Sequence, residues 1–175
     1  MFLSHHFSVN KTKPQFVYKN GCRTDINKSV FPILDGMALS YLTLKPQGMR
    51  EPHWHPNAHE LGYCLEGKGV MTIFSPGAGH DTFIIEPGTL SFVPMGSLHH
   101  VQNIGDTPLK MILCFSNEMP EDLNLSSTLE PIPASALGST FGLKPSFFTD
   151  LHPALKPVFI TEYQGEIKTD ISWSV

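Results

Sequence analysis

Residues 50–67 read REPHWHPNAHELGYCLEG, and residues 88–103 read GTLSFVPMGSLHHVQN. The first stretch holds three histidines and two of its three glutamates within twelve positions, in a chain that is only 16% charged. His53 and His55 stand at i and i+2. On a strand such side chains leave the same face, with Cα atoms roughly 7 Å apart. Their imidazoles can therefore lean onto one ion. Glu60 follows a loop containing Pro56 and Asn57 and opens the next strand, so its carboxylate can return to the same point. His99 comes some forty residues later, behind the Pro94-Met95-Gly96 turn. Three imidazoles and one carboxylate make a mixed N/O donor set. It suits a divalent transition metal, Mn, Fe, Ni, Co or Zn, and does not suit an all-oxygen Ca or Mg cage.

The rest of the chain reads as a frame for that cluster. Stretches 15–20 (QFVYKN), 37–46 (MALSYLTLKP), 60–67, 69–74, 82–88, 89–94, 99–105 and 109–116 combine β-branched or aromatic residues with turn residues between them. Short strands broken by turns every 8–12 residues predict an all-β sandwich or barrel. The barrel is expected over about 38–116, within a single domain over 1–175. Residues 1–37 form an N-terminal extension. Residues 117–175 form a tail with one or two short helices and a possible strand in KPVFITEY, 156–163.

Composition narrows the partners. A net charge of −4 with only twelve Lys and Arg speaks against nucleic acid and anionic membranes. No apolar run has the length of a membrane span. The start, MFLSHHFSVNKTK, lacks the pattern of a secretory signal, so a cytoplasmic location is expected. Cys22, Cys64 and Cys114, odd in number and widely spaced, fit reduced core thiols. Alternation points His59 and His100 away from their neighbours Glu60 and His99. Cys64 shares the parity of Glu60 and is expected in the core. His5, His6, His80 and His152 carry no spacing signal.

The pattern Gly48-x4-His53-x-His55-x4-Glu60-x6-Gly67 resembles the first motif of the cupins, one residue short between its glycine and first histidine. Gly88-x5-Pro94-x-Gly96-x2-His99-x3-Asn103 matches the second in full. The resemblance covers about residues 35–120. It implies a cupin double-stranded β-helix, a jelly-roll barrel, with His53, His55, Glu60 and His99 as metal ligands.

Residues 48–74 further resemble one half of the two-cupin oxalate decarboxylases. In that family an arginine three residues before the first histidine binds the substrate carboxylate, and Arg50 matches it. Its planar fork suits a bidentate grip. Strict alternation from His53 puts Arg50 on the opposite face, though Pro52 interrupts the strand start. The family also carries a lid glutamate in a Ser-Glu-Asn-Ser motif. The corresponding stretch, SNEMPEDLNLSS at 116–127, lacks it and offers Glu118, Glu121 and Asp122. The implied function is a manganese enzyme on a small carboxylate, a decarboxylase or an oxidase/dioxygenase. Arg50, Glu121 and Asp122 are its candidate catalytic residues. A non-enzymatic metal- or metabolite-binding protein and a sugar isomerase are the alternatives. Residues 1–37 and 145–175 exceed the needs of a barrel, which leaves room for a homodimer.

Overall fold

A computed structural model describes residues 4–149 and 158–165. His152 and residues 150–157 of the tail lie outside them. Two antiparallel sheets face each other. The first runs in the order β1 (Phe16–Tyr18), β2 (Gly21–Ile26), β3 (Ala38–Leu44), β10 (Leu109–Phe115), β5 (Glu60–Glu66), β8 (Leu90–Val93). The second runs β11 (Leu123–Asn124), β4 (Gly48–Trp54), β9 (His99–Asn103), β6 (Gly69–Phe74), β7 (His80–Ile85). A last short strand, β12 (Ile160–Glu162), also pairs with β4. Two helices, α1 (Leu125–Leu129) and α2 (Ala134–Phe141), follow β11. This is the all-β jelly roll with a short helical tail that the sequence predicts. No described helix is long and apolar enough to cross a membrane.

The period of two is strict where both sheets meet. In β3 and β10 every second residue is buried, which sends Leu42, Leu44, Met111, Leu113 and Phe115 inward. Met71 from β6 and Val101 from β9 meet them from the other sheet, and all belong to one core cluster. Their burial supplies the main drive for closing the sandwich, at roughly 1.5–3 kcal/mol per large side chain. Cys64 is fully buried in the same core, and all three cysteines are free thiols.

Strands also lie outside 38–116. β2 pairs with β3 along Gly21↔Leu44 to Ile26↔Leu39, and so carries Arg23 into the first sheet. β11 and β12 share one edge of β4, the first at His53–Trp54 and the second at Gly48–Arg50. Turn chemistry fixes the ends that matter. Gly67 has φ +86, and a Cβ there would run into the Pro108 carbonyl, so only glycine fits between β5 and β6. Gly96, at φ +79, bends the chain just before His99.

Candidate metal centre

His53 on β4 and His99 on β9 are direct cross-strand partners. His55 lies just past the end of β4, and Glu60 is the first residue of β5 in the opposite sheet. All four are buried, and one donor atom from each lies within 4.8 Å of the others. Two donors each about 2.1 Å from one ion stand at most roughly 4.2 Å apart, so a shared ion needs only a sub-ångström closing.

The hydrogen bonds orient the rings for that purpose. His53 Nδ1 donates to the Glu51 carbonyl at 2.8 Å, and His99 Nδ1 to the Ser97 carbonyl at 3.0 Å. A carbonyl oxygen only accepts, so the proton sits on Nδ1 and the Nε2 lone pair faces the centre. His99 Nε2 is buried without a hydrogen-bond partner. An orphaned buried nitrogen is costly unless something else satisfies it, and a metal ion would. His55 Nδ1 lies 2.9 Å from both the Glu121 carbonyl and Asp122 Oδ1, while its Nε2 sits 3.0 Å from Glu60 Oε2. A carboxylate behind a ligating histidine fixes the ring and raises its basicity. The donor set and its backing fit a divalent transition metal.

Charge follows the same geometry. Burial alone would raise the Glu60 carboxyl, but His99 and His55 hold it well below the usual carboxylate range. Burial also works against a charged His55, yet hydrogen bonds to Asp122 and Glu60 push it up to about 9 in the metal-free protein. Burial, then Arg50, then the neighbouring imidazoles push His53 well down, so it stays neutral. Asp122 is held ionised, against its burial, by His55, Arg23 and Arg50.

Arg50 is 2% exposed and lines the small cavity at the metal-ligand cluster, together with Arg23, Met71, Val101 and Phe115. Strict alternation is therefore wrong for it. Arg50 pairs with Val101 and His53 with His99, three residues on β4 against two on β9. This bulge at Glu51–Pro52 shifts the phase and brings both side chains inward. Arg50 Nη1 donates to Asn124 Oδ1 at 2.6 Å and Nη2 to Asp122 Oδ2 at 3.1 Å. The Phe159 ring lies under its guanidinium, 5.3 Å from the centroid. Burial brings Arg50 down to about 10, still protonated at neutral pH.

Of the acids at 116–127, Asp122 alone turns its carboxylate to the site. The Glu121 side chain is exposed, and only its carbonyl reaches His55. Glu118 pairs with Lys28 on the surface. His59 is exposed, stacks on Phe92 and accepts from the Met95 N–H, away from the centre. His100 faces outward from β9, opposite Thr72. Three residues of the site have no counterpart in the sequence reading: Arg23, Asn124 and Phe159. Each reaches Arg50 or Asp122 from a remote part of the chain, and no local spacing announces them.

Fold and donor set together define a jelly-roll protein with a three-histidine, one-glutamate metal site. The chain belongs to the cupin family, whose family model, described as Cupin, matches residues 7–147. It is 34% identical over 131 residues to oxalate decarboxylase OxdC of Bacillus subtilis, covering 72% of this chain and 34% of that protein. It is 27% identical over 123 residues to oxalate oxidase GF-3.8 of Triticum aestivum, covering 65% of this chain and 55% of that one. Among solved structures, Bacillus subtilis oxalate decarboxylase with its Mn(II) centres superposes with a TM-score of 0.80 at 28% identity, over 88% of this chain and 40% of that one. The chain thus spans about a third of the decarboxylase and about half of the oxidase.

Proposed function

We propose that this cupin is a manganese-dependent enzyme acting on a small carboxylate of the oxalate class, either by C–C cleavage with uptake of one proton to CO2 and formate, or by oxidation to two CO2 in which dioxygen takes the two electrons and two protons to become hydrogen peroxide. The observation that carries this reading is the inward-facing Arg50. A buried cation on the wall of the same cavity as four convergent metal donors is a place for an anion bound to that metal. Likeness to an oxalate decarboxylase with Mn(II) centres and to an oxalate oxidase supports both the substrate class and the metal.

A bound divalent ion would be held by His53, His55, Glu60 and His99, and would supply Lewis acidity or an oxygen-binding position. The chain's own residues do the rest. Arg50 orients the free carboxylate of the substrate through its fork. Asp122, ionised, keeps the His55 ring in place and gives Arg50 a counter-charge. Glu121, exposed on the same turn, presents its carboxylate to solvent and reaches His55 through its backbone carbonyl. Met71, Val101, Met111 and Phe115 keep the far wall of the cavity apolar and exclude water.

The test is direct. Purified protein loaded with Mn or Fe is incubated with oxalate, and CO2, formate and peroxide are followed. Turnover with neither metal sinks the enzyme reading. One observation favours a second reading, a non-enzymatic metal or metabolite binder: Arg50 is already hydrogen-bonded to Asp122 and Asn124, and the cavity admits little more than one water-sized group. Retained metal with oxalate binding but no turnover would support that one.

A further inference from the structure

Two arginines from opposite sheets converge on one carboxylate oxygen. Arg23 on β2 donates through Nη1 to Asp122 Oδ2, and Arg50 on β4 donates through Nη2 to the same atom at 3.1 Å. The other oxygen, Oδ1, stands 2.9 Å from His55 Nδ1, sharing that N–H with the Glu121 carbonyl. The two arginines differ in what else holds them. Arg23 is locked: its Nη2 donates to Asp25 Oδ2 at 3.0 Å, its Nε stands 3.0 Å from Oδ1 in the same ion pair without a well-directed hydrogen bond, and Asp25 is itself held by the Ser40 hydroxyl at 2.6 Å. Phe16 and Phe159 flank the Arg23 guanidinium at 4.9 and 5.5 Å. Among the described residues Arg50 bonds no second carboxylate, and its other partners are the Asn124 amide oxygen and, in a long contact, the Phe159 carbonyl.

We propose that Arg23 is a positioning residue for carboxylate binding: it retains Asp122, and through it the His55 hydrogen bond, when Arg50 turns from Asp122 to an incoming carboxylate. Arg50 is the arginine free to change partners, because leaving Asp122 does not strand that carboxylate while Arg23 stays. Without Arg23, Arg50 is the remaining arginine on Asp122. A ligand carboxylate then competes with Asp122 for one fork, and winning it unseats the support behind a metal-ligating histidine. Nothing in the sequence spacing links residues 23 and 122; β2 beside β3, and the segment leading into β11 beside β4, bring them together.

This inference rests on the small-carboxylate reading, and its test separates the two. Oxalate binding to Mn-loaded protein is measured by calorimetry for wild type, R23Q, R23K, D122N and R23Q/D122N, with metal content and Mn(II) EPR on each sample. R23Q should bind oxalate about tenfold more weakly at unchanged metal content, the scale of one lost charge-assisted hydrogen bond. R23K should recover part of that loss, because it keeps the charge but not the fork. R23Q/D122N should be no weaker than D122N alone, since Arg23 acts through Asp122. The EPR spectrum of R23Q should match wild type without oxalate and depart from it with oxalate bound. Additive losses in the double variant, or R23Q binding as wild type does, would overturn the proposal. If R23Q fails to fold, R23K and R23K/D122N carry the same comparison. Wild type that retains Mn but binds no oxalate overturns the carboxylate reading itself, and this one with it.

Discussion

Arg50 and His53 project from the same face of β4 although they stand at i and i+3, because a bulge puts one extra residue between them on β4 relative to their partners Val101 and His99 on β9. A flat strand would have sent one of them to solvent. The phase shift places a buried cation beside the metal donors, so that metal binding and anion binding should separate under substitution. Arg50→Lys should leave metal content unchanged while weakening oxalate binding by about ten- to a hundredfold, since an ammonium cannot grip a carboxylate bidentately. Metal analysis with calorimetry checks this. Loss of metal together with binding would place Arg50 in the support of the metal site instead. Arg50→Ala should also lower stability, by about 2 kcal/mol, because a buried ion-pair member is removed while Asp122 keeps Arg23 and His55.

The donor assignment makes a sharp contrast within one stretch. His55→Ala or Glu60→Ala should abolish metal retention after gel filtration. His59→Ala, next to Glu60 in sequence but bound to the Met95 N–H outside the centre, should retain wild-type metal. Equal loss in His59→Ala would show the donor set to be misassigned.

Acid and base should act on the metal-free protein from two sides. His53 has its folded pKa pushed below the ordinary 6.5, so stability falls as pH drops below 6.5 and the unfolded chain takes up the proton. Glu60, whose folded pKa is depressed below the ordinary 4.5, adds a further loss under about that pH. His55 is raised to about 9, so its contribution is complete below 6.5 and is lost as pH rises through about 9. The melting temperature of the metal-free protein should therefore peak near pH 6.5. A bound ion competes with the His55 proton, so the gap between metal-loaded and metal-free melting temperatures should widen from pH 6.5 to 9. A gap that narrows over that range would contradict the His55 assignment.

Asn103, the last residue of the second motif, binds nothing in the metal centre. It is 1% exposed, donates to the Leu44 and Thr107 carbonyls at 2.9 and 2.7 Å, and accepts from the Gly105 N–H at 2.9 Å. It ties the β9–β10 turn to β3. Asn103→Ala leaves three backbone groups without their partner, the Leu44 carbonyl of them in the core, and should cost about 1–3 kcal/mol in chemical denaturation, with metal stoichiometry unchanged in the folded fraction. A loss under 1 kcal/mol would mean that water replaces all three bonds.

The metal donors were legible because alternation and turn spacing are local. His53, Glu60 and His99 sit on strands and His55 one residue past the end of β4, where direction still follows from a period of two, and the outward turn of His59 and His100 follows from the same rule. Arg50 broke that rule at Pro52, where a bulge, not the pleat, decides direction. Among Glu118, Glu121 and Asp122 nothing local says which acid turns inward, since a loop has no period. The choice is made by Arg23, nearly a hundred residues away. β2, GCRTDI, went unread for a related reason. It buries Arg23 and Thr24 along with Ile26, and a strand with polar residues inside shows no apolar alternation to detect.

The edge of β4 is closed by strands drawn from residues 123–124 and 160–162. Ile160 pairs with Arg50 and is 1% exposed in the core, and Phe159 lies against the Arg23 and Arg50 guanidiniums. Contacts across more than a hundred residues form late, because the intervening chain must first be ordered. During synthesis the four metal donors would all have emerged while β4 still offered an open hydrogen-bonding edge, and Arg50 still lacked the aromatic floor beneath it. On the proposed reading, the surroundings of Arg50 are complete only once residues 159–162 have arrived, after all four donors.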